Sequence, residues 1–274
     1  MRPDIKQTAR ATRAYNFHSH TPYCDGRSPI DEMARAAAAA GFKHYAFTTH
    51  SPVSLGTPCN MPYAAVTEYI SECERLKREY AGRMTLYTGM EIDYLSPQEG
   101  PHCEYFKSLP LDVRLGSVHF VPTQRGEYVD CDGRFERFAS YLHDCFRDDL
   151  RYVVEKYFGQ VAEMVALGGI DIIGHFDKIA NNASQARPGI EDETWYQVAA
   201  GSVIGEIIAS GLPVELNTKA YARSGRFFPD RRWWKRLADA GVTLVVNSDA
   251  HSADLIDAGR AEAFRALAED GIAL

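Results

Sequence analysis

Residues 15–20 read YNFHSH and residues 244–251 read LVVNSDAH. Each is a short apolar run that ends on a pair of metal-binding side chains one residue apart, His18 and His20 in the first, Asp249 and His251 in the second. Between them, four more apolar runs stop at an imidazole or a carboxylate: AFTTH at His50, YTGME at Glu91, LGSVH at His119 and DIIGH at His175. In an extended strand alternate side chains share a face, so both members of an H-x-H or D-x-H pair point the same way. Residues at six strand ends can converge only if those ends form a ring. That requirement selects a closed barrel over an open doubly wound sheet, which the alternation of elements alone would also fit.

The punctuation of the chain agrees. Strands are expected at 14–17, 44–48, 85–90, 113–121, 170–173, 213–216 and 242–246, short and nearly all apolar, as when both faces are covered. Helices are expected at 28–40, 64–80, 135–145, 149–167, 192–210, 230–240 and 258–269, most of them stopping at a glycine such as Gly41, Gly82, Gly211 or Gly241. For the first, Ser28 reads as N-cap, with Pro29 in the first position and Asp31 completing a capping box. The α/β alternation predicts a distorted (β/α)7 barrel with its site at the carboxyl ends of the strands. A single domain spanning 1–274 is expected, with 1–13 a flexible arm.

Composition narrows the partners. The chain has 274 residues, 45% hydrophobic and 24% charged, with net charge −7 and no basic block, so nucleic acid is not an expected partner. A small phosphorylated substrate remains possible, held by metals and one or two Arg. No apolar run is long enough to cross a bilayer, and the first fifteen residues have no apolar core that would read as a secretion signal. The six cysteines are scattered with no C-x-x-C pair, as in a reduced, cytoplasmic chain. Nothing here fixes an oligomeric state.

Nine residues make the candidate metal set: His18, His20, Asp25, His50, Glu91, His119, His175, Asp249 and His251. Six imidazoles and three carboxylates without a thiol favour Zn, Mn or Fe over a structural cysteine-bound zinc. Nine side chains exceed the roughly four to six ligands of one ion, so two or three divalent ions are expected. The other three histidines, His44, His102 and His143, fall at a strand start, a loop and a helix and read as structural. Cys24 reads as a filler beside the first loop, and Asp93 and Asp177 as partners of the ligands or as surface and capping residues.

The motifs HSHTPYCDG, FTTH, GMEIDY, GSVHF, DIIGHFDK, VELNT and NSDAH resemble the PHP (polymerase and histidinol phosphatase) superfamily. Within it the chain is most similar to the monofunctional histidinol-phosphate phosphatases. Asn247, before Ser248 and Asp249, departs from the small residue that the pattern more often carries. The resemblance implies a distorted seven-stranded barrel and three ions: one on His18, His20, Glu91 and Asp249, a second on Glu91, His119 and His175, a third on Asp25, His50 and His251. It also implies hydrolysis of L-histidinol phosphate to L-histidinol and phosphate in histidine biosynthesis, with Glu91, Asp249 and His251 acting through a metal-activated water. Arg226, then Arg223, in the loop after the sixth strand are expected to clamp the phosphate. Trp233 and Trp234 are expected to pack rather than stack on substrate. Competing expectations are a PHP phosphoesterase acting on another phosphomonoester or a nucleotide, a metal-dependent amidohydrolase, and a non-catalytic metal-binding protein.

Overall fold

The computed structural model describes residues 2–273. In chain order the strands are β1 (Tyr15–Asn16), β2 (His44–Phe47), β3 (Thr85–Asp93), β4 (Val113–Ser117), the hairpin β5 (Phe120–Pro122) and β6 (Tyr128–Asp130), then β7 (Ile172–Ile173), β8 (Val214–Asn217) and β9 (Leu244–Asn247). All but the hairpin lie in one sheet of parallel strands in the order β1-β2-β3-β4-β7-β8-β9. The helices are α1 (Ile5–Ala11), α2 (Ile30–Ala39), α3 (Val66–Tyr80), α4 (Glu104–Ser108), α5 (Phe135–Phe146), α6 (Leu150–Leu167), α7 (Ala180–Ala186), α8 (Thr194–Ser210), α9 (Tyr221–Ser224), α10 (Arg231–Asp239) and α11 (Arg260–Glu269).

Because each crossover leads to the neighbouring strand, the sheet curls until β1 meets β9. That seam is closed largely by side chains. Val246 N donates to Tyr15 Oη at 3.1 Å, Phe17 N to Asn247 Oδ1 at 2.8 Å, and Ser248 N to Asn16 Oδ1 at 3.2 Å. Backbone pairing appears at the Ser19–Ala250 bridge, where His20 N donates to Ala250 O at 2.8 Å. Asn247, the departure in the NSDAH motif, therefore has a task that a smaller residue could not perform: its amide oxygen accepts the backbone N–H of the first strand.

The core lies between the sheet and its helices in two parts. Met33 and Ala37 of α2 and Tyr69 and Leu76 of α3 pack on Tyr45, Phe47 and Ile92. On the other side Val153, Val203 and Leu237, from α6, α8 and α10, cover Leu115, Ile173, Val214 and Val246. Each of the larger aliphatic side chains among them contributes about 1.5–3 kcal/mol by leaving water. Trp233 and Trp234 are buried in this second part.

Four local readings differ from the sequence expectation. Residues 5–11, placed in a flexible arm, form α1, because Ile5 and Ala9 share one face and are buried, while Asp4 caps the helix through Gln7 N at 2.9 Å. The fourth strand stops at Ser117, and its continuation pairs antiparallel with β6, as a chain that must turn at His119 requires. Ser28 does not cap α2; its hydroxyl accepts Ala253 N at 3.1 Å and ties the first loop to the segment after β9. The short helices α4, α7 and α9 lie in stretches with no clear apolar period. Asp149 and Asp230 do cap α6 and α10.

Candidate metal centre

Parallel strands present their carboxyl ends on one rim, and the nine residues picked from the sequence meet there. Glu91, on β3, is 1% exposed and lies at the middle. Five imidazoles crowd its two oxygens. His18 Nε2, His50 Nδ1 and His20 Nε2 lie 3.1, 3.0 and 3.5 Å from Oε2; His175 Nε2 and His119 Nε2 lie 3.1 and 3.5 Å from Oε1. Asp249 Oδ1 is 3.0 Å from His20 Nε2 and 3.7 Å from His18 Nε2. At the outer edge, Asp25 Oδ1 is 3.4 Å from His251 Nε2 and 3.9 Å from His50 Nε2. Four groups have ligand atoms within 4.8 Å of one another: His18, His20 and Asp249; Glu91, His119 and His175; His20, Asp25, His50 and His251; and His50, Asp93 and His119.

The backbone is shaped to this convergence. Asp249 adopts φ +51°, a left-handed conformation that Asp tolerates at modest cost and that turns its carboxylate into the cluster. Gly174 lets β7 approach β4 beneath His175: a Cβ there would sit 2.3 Å from Ser117 Oγ and 2.9 Å from Gly116 O.

The donor set fits cations. His18 Nδ1 lies 2.6 Å from Glu215 Oε1, and His119 Nδ1 lies 2.6 Å from Asp93 Oδ1. Each ring donates its proton outward, so its neutral form turns a bare Nε2 lone pair towards Glu91. Both Glu91 oxygens are buried, and neither has a well-formed hydrogen bond among the described residues. Lone pairs facing lone pairs at 3.1–3.5 Å are unfavourable unless positive charge lies between them. Charge is tuned to match. Burial opposes ionisation of Glu91 and Asp249, yet His18, His50 and His119 hold Glu91 well below the usual carboxylate range, and Lys219 and His18 do the same for Asp249. Burial, with His251 and His50 nearby, holds His20 well below the usual imidazole value, and burial lowers His50 too. Burial also opposes a charge on His18 and His119, but carboxylates win: Glu215, Glu91 and Asp249 raise His18, and Asp93 and Glu91 raise His119 to about 10. Those bound protons mark where a cation would bring the same charge.

The remaining candidates separate cleanly. His44 bonds Tyr87, His102 the Pro97 carbonyl and His143 Asp148, all away from the cluster. Cys24 Sγ lies 3.5 Å from His20 Nδ1, on the ring edge opposite the cluster, and burial pushes its thiol up to about 12. Asp177 accepts Asp230 N at 2.8 Å rather than a ligand ring, and burial pushes it up to about 7. A cavity of about 1600 Å³ opens over the cluster, and Arg223 and Arg226 both line it. Arg226 is already bidentate to Glu191, at 2.8 and 2.5 Å. Two lysines that the sequence reading passed over reach the cluster directly. Lys178 Nζ is 3.5 Å from Asp132 and 3.9 Å from Asp249 Oδ2; Lys219 Nζ is 3.4 Å from Asp249 Oδ1 and 3.1 Å from His251 Nε2. Their signal was position: Lys178 stands three residues after His175, and Lys219 two after the end of β8.

Fold and site together define a parallel α/β barrel with a candidate multinuclear cation centre at its rim. Residues 16–219 match the PHP domain, most of the chain, and the chain belongs to that family. The histidinol-phosphatase of Bacillus subtilis is 28% identical over 256 residues, covering 86% of this chain and 92% of the relative. Among solved structures, a Listeria monocytogenes protein assigned as a histidinol phosphatase superposes with a TM-score of 0.81 at 18% identity, covering 90% of this chain and 99% of that one. The histidinol phosphate phosphatase of Lactococcus lactis, complexed with zinc, L-histidinol and phosphate, gives 0.66 at 16% identity, covering 95% and 94%.

Proposed function

We propose that this protein is a metal-dependent phosphomonoesterase that hydrolyses L-histidinol phosphate to L-histidinol and phosphate. The observation that carries the reading is Glu91, a buried carboxylate ringed by five imidazoles with no well-formed hydrogen bond among the described residues. The relatives named for this activity, one solved with zinc, L-histidinol and phosphate, support the substrate.

His18, His20, Glu91 and Asp249 would hold one divalent ion; Glu91, His119 and His175 a second; and Asp25, His50 and His251 a third, with Zn, Mn and Fe all suited to the donors. Bound there, the ions supply a nucleophilic water at neutral pH and charge neutralisation at the phosphoryl oxygens. The protein supplies position. Glu91 and Asp249 fix the ligand rings around one point. Lys178, Lys219 and Arg223 offer positive charge to a phosphate entering the cavity. Arg226, neutralised by Glu191, acts by holding the segment just after α9, the short helix that carries Arg223. The carboxylates of Asp130, Asp132 and Glu136 also line the cavity and complement the substrate's ammonium group.

The test is phosphate release by protein reloaded with Zn or Mn. L-histidinol phosphate should be hydrolysed in preference to other phosphomonoesters, and activity should vanish on chelation and return with metal. Equal rates on sugar, nucleotide and histidinol phosphates would replace the substrate assignment, and activity untouched by chelation would remove the metals.

A further inference from the structure

Of the seven strands of the parallel sheet, β8 is the one that leads to no ligand of the cluster among the described residues, and its Glu215 is a carboxylate with 0% exposure. An isolated buried carboxylate is costly, so its partners report what it is for. All four are tied to the centre. Oε1 accepts the proton on His18 Nδ1 at 2.6 Å and Asn247 Nδ2 at 3.0 Å. Oε2 accepts His175 N at 3.1 Å and Asn217 Nδ2 at 3.1 Å. Asn217 Nδ2 also donates to Asp249 Oδ2 at 3.0 Å, and Asn247 Oδ1 accepts Phe17 N beside His18. One side chain thus keys three ligand-bearing segments, those of His18, His175 and Asp249.

We propose that Glu215 is the positioning residue of the metal centre. It keeps the His18 proton on Nδ1, so that Nε2 is left to the metal, and it sets the backbone of His175 and, through Asn217, the carboxylate of Asp249. Its role is to raise cation affinity without touching cation or substrate. A carboxylate behind a ligating imidazole fixes tautomer and ring orientation in this way, and losing one typically costs about 10–100-fold in metal affinity. The inference rests on the metal reading above, but not on the choice of substrate.

The experiment measures zinc directly. Wild type and Glu215→Gln, both purified metal-free, are titrated with Zn against a competing chelator, with thermal unfolding of the metal-free proteins as a check on folding. Glu215→Gln should bind its tightest Zn about 10–100-fold more weakly. At saturating Zn its KM for the phosphomonoester should stay within about twofold while kcat falls. A folded Glu215→Gln protein that binds Zn within about twofold of wild type overturns the proposal. Should Glu215→Gln not fold, the Zn-loaded wild type decides. Proton NMR should show a ring N–H resonance protected from solvent exchange and absent from His18→Gln; its absence from wild type overturns the proposal. Failure of the wild type to bind Zn would instead strike the metal reading. Zn binding without phosphate release would strike the assigned activity alone.

Discussion

The inner and outer parts of the cluster are built differently. Around Glu91 the rings of His18, His119 and His175 are buried, and two are braced from behind by carboxylates, His18 by Glu215 and His119 by Asp93. Asp93 is itself held by Asn60 Nδ2 at 2.8 Å. The outer trio is looser. The Asp25 side chain is 34% exposed and comes from a loop, His251 is oriented by the backbone carbonyl of Asp249, and the Lys219 ammonium lies beside the His251 ring. A site whose ligands are locked before the ion arrives loses less order on binding than one whose ligands must be gathered. The inner positions should therefore hold metal tightly and the outer one weakly.

The largest effect that would test this contrast comes from its centre. Glu91→Gln should lower kcat/KM by more than the roughly 100-fold that loss of a bracing partner costs, and should remove at least one ion per chain by elemental analysis. Retention of every ion would show that Glu91 is not shared. Next, stepwise chelation should release metal in two phases, with a weakly held fraction lost first; one uniform phase would erase the distinction. Asp25→Asn should then weaken only that early fraction, by about 10–100-fold, and leave the rest unchanged.

Smaller effects belong to the cavity. Lys219→Ala should raise KM about tenfold, equivalent to about 1.4 kcal/mol of lost phosphate contact, with the tight metal fraction intact. Arg226→Ala should raise KM by less than Lys219→Ala does, and should chiefly lower Tm, because Glu191 is left without its bidentate partner. A larger KM change for Arg226→Ala would return Arg226 to the phosphate.

How much of this was legible in the sequence depends on the kind of contact. The ring of ligands was readable because every member but the loop residue Asp25 closes an apolar run, so chain position and spatial position coincide. His18, Glu91 and His175 announce themselves this way. Glu215 and Lys178 do not: Glu215 sits inside VELNT like any strand residue, and its partners lie on other strands. What separates the tasks of Lys219 and Arg226 is what faces each, and Glu191, which neutralises Arg226, is 35 residues away in sequence. Helix α1 was missed because two buried apolar residues in seven, one of them an alanine, give almost no periodic signal, and Ser28 because its acceptor role is set by Ala253, across the fold. Local pattern finds what local geometry requires; pairings across the barrel leave no such trace.

The seam between β1 and β9 has a temporal meaning. Phe17 and Asn247, which meet there, are 230 residues apart. On the ribosome His18 and His20 emerge more than 200 residues ahead of their acidic counterpart Asp249. A nascent chain thus carries the beginnings of a chelator long before it can complete one, and final assembly of the centre must wait until β9 and the residues after it have been made.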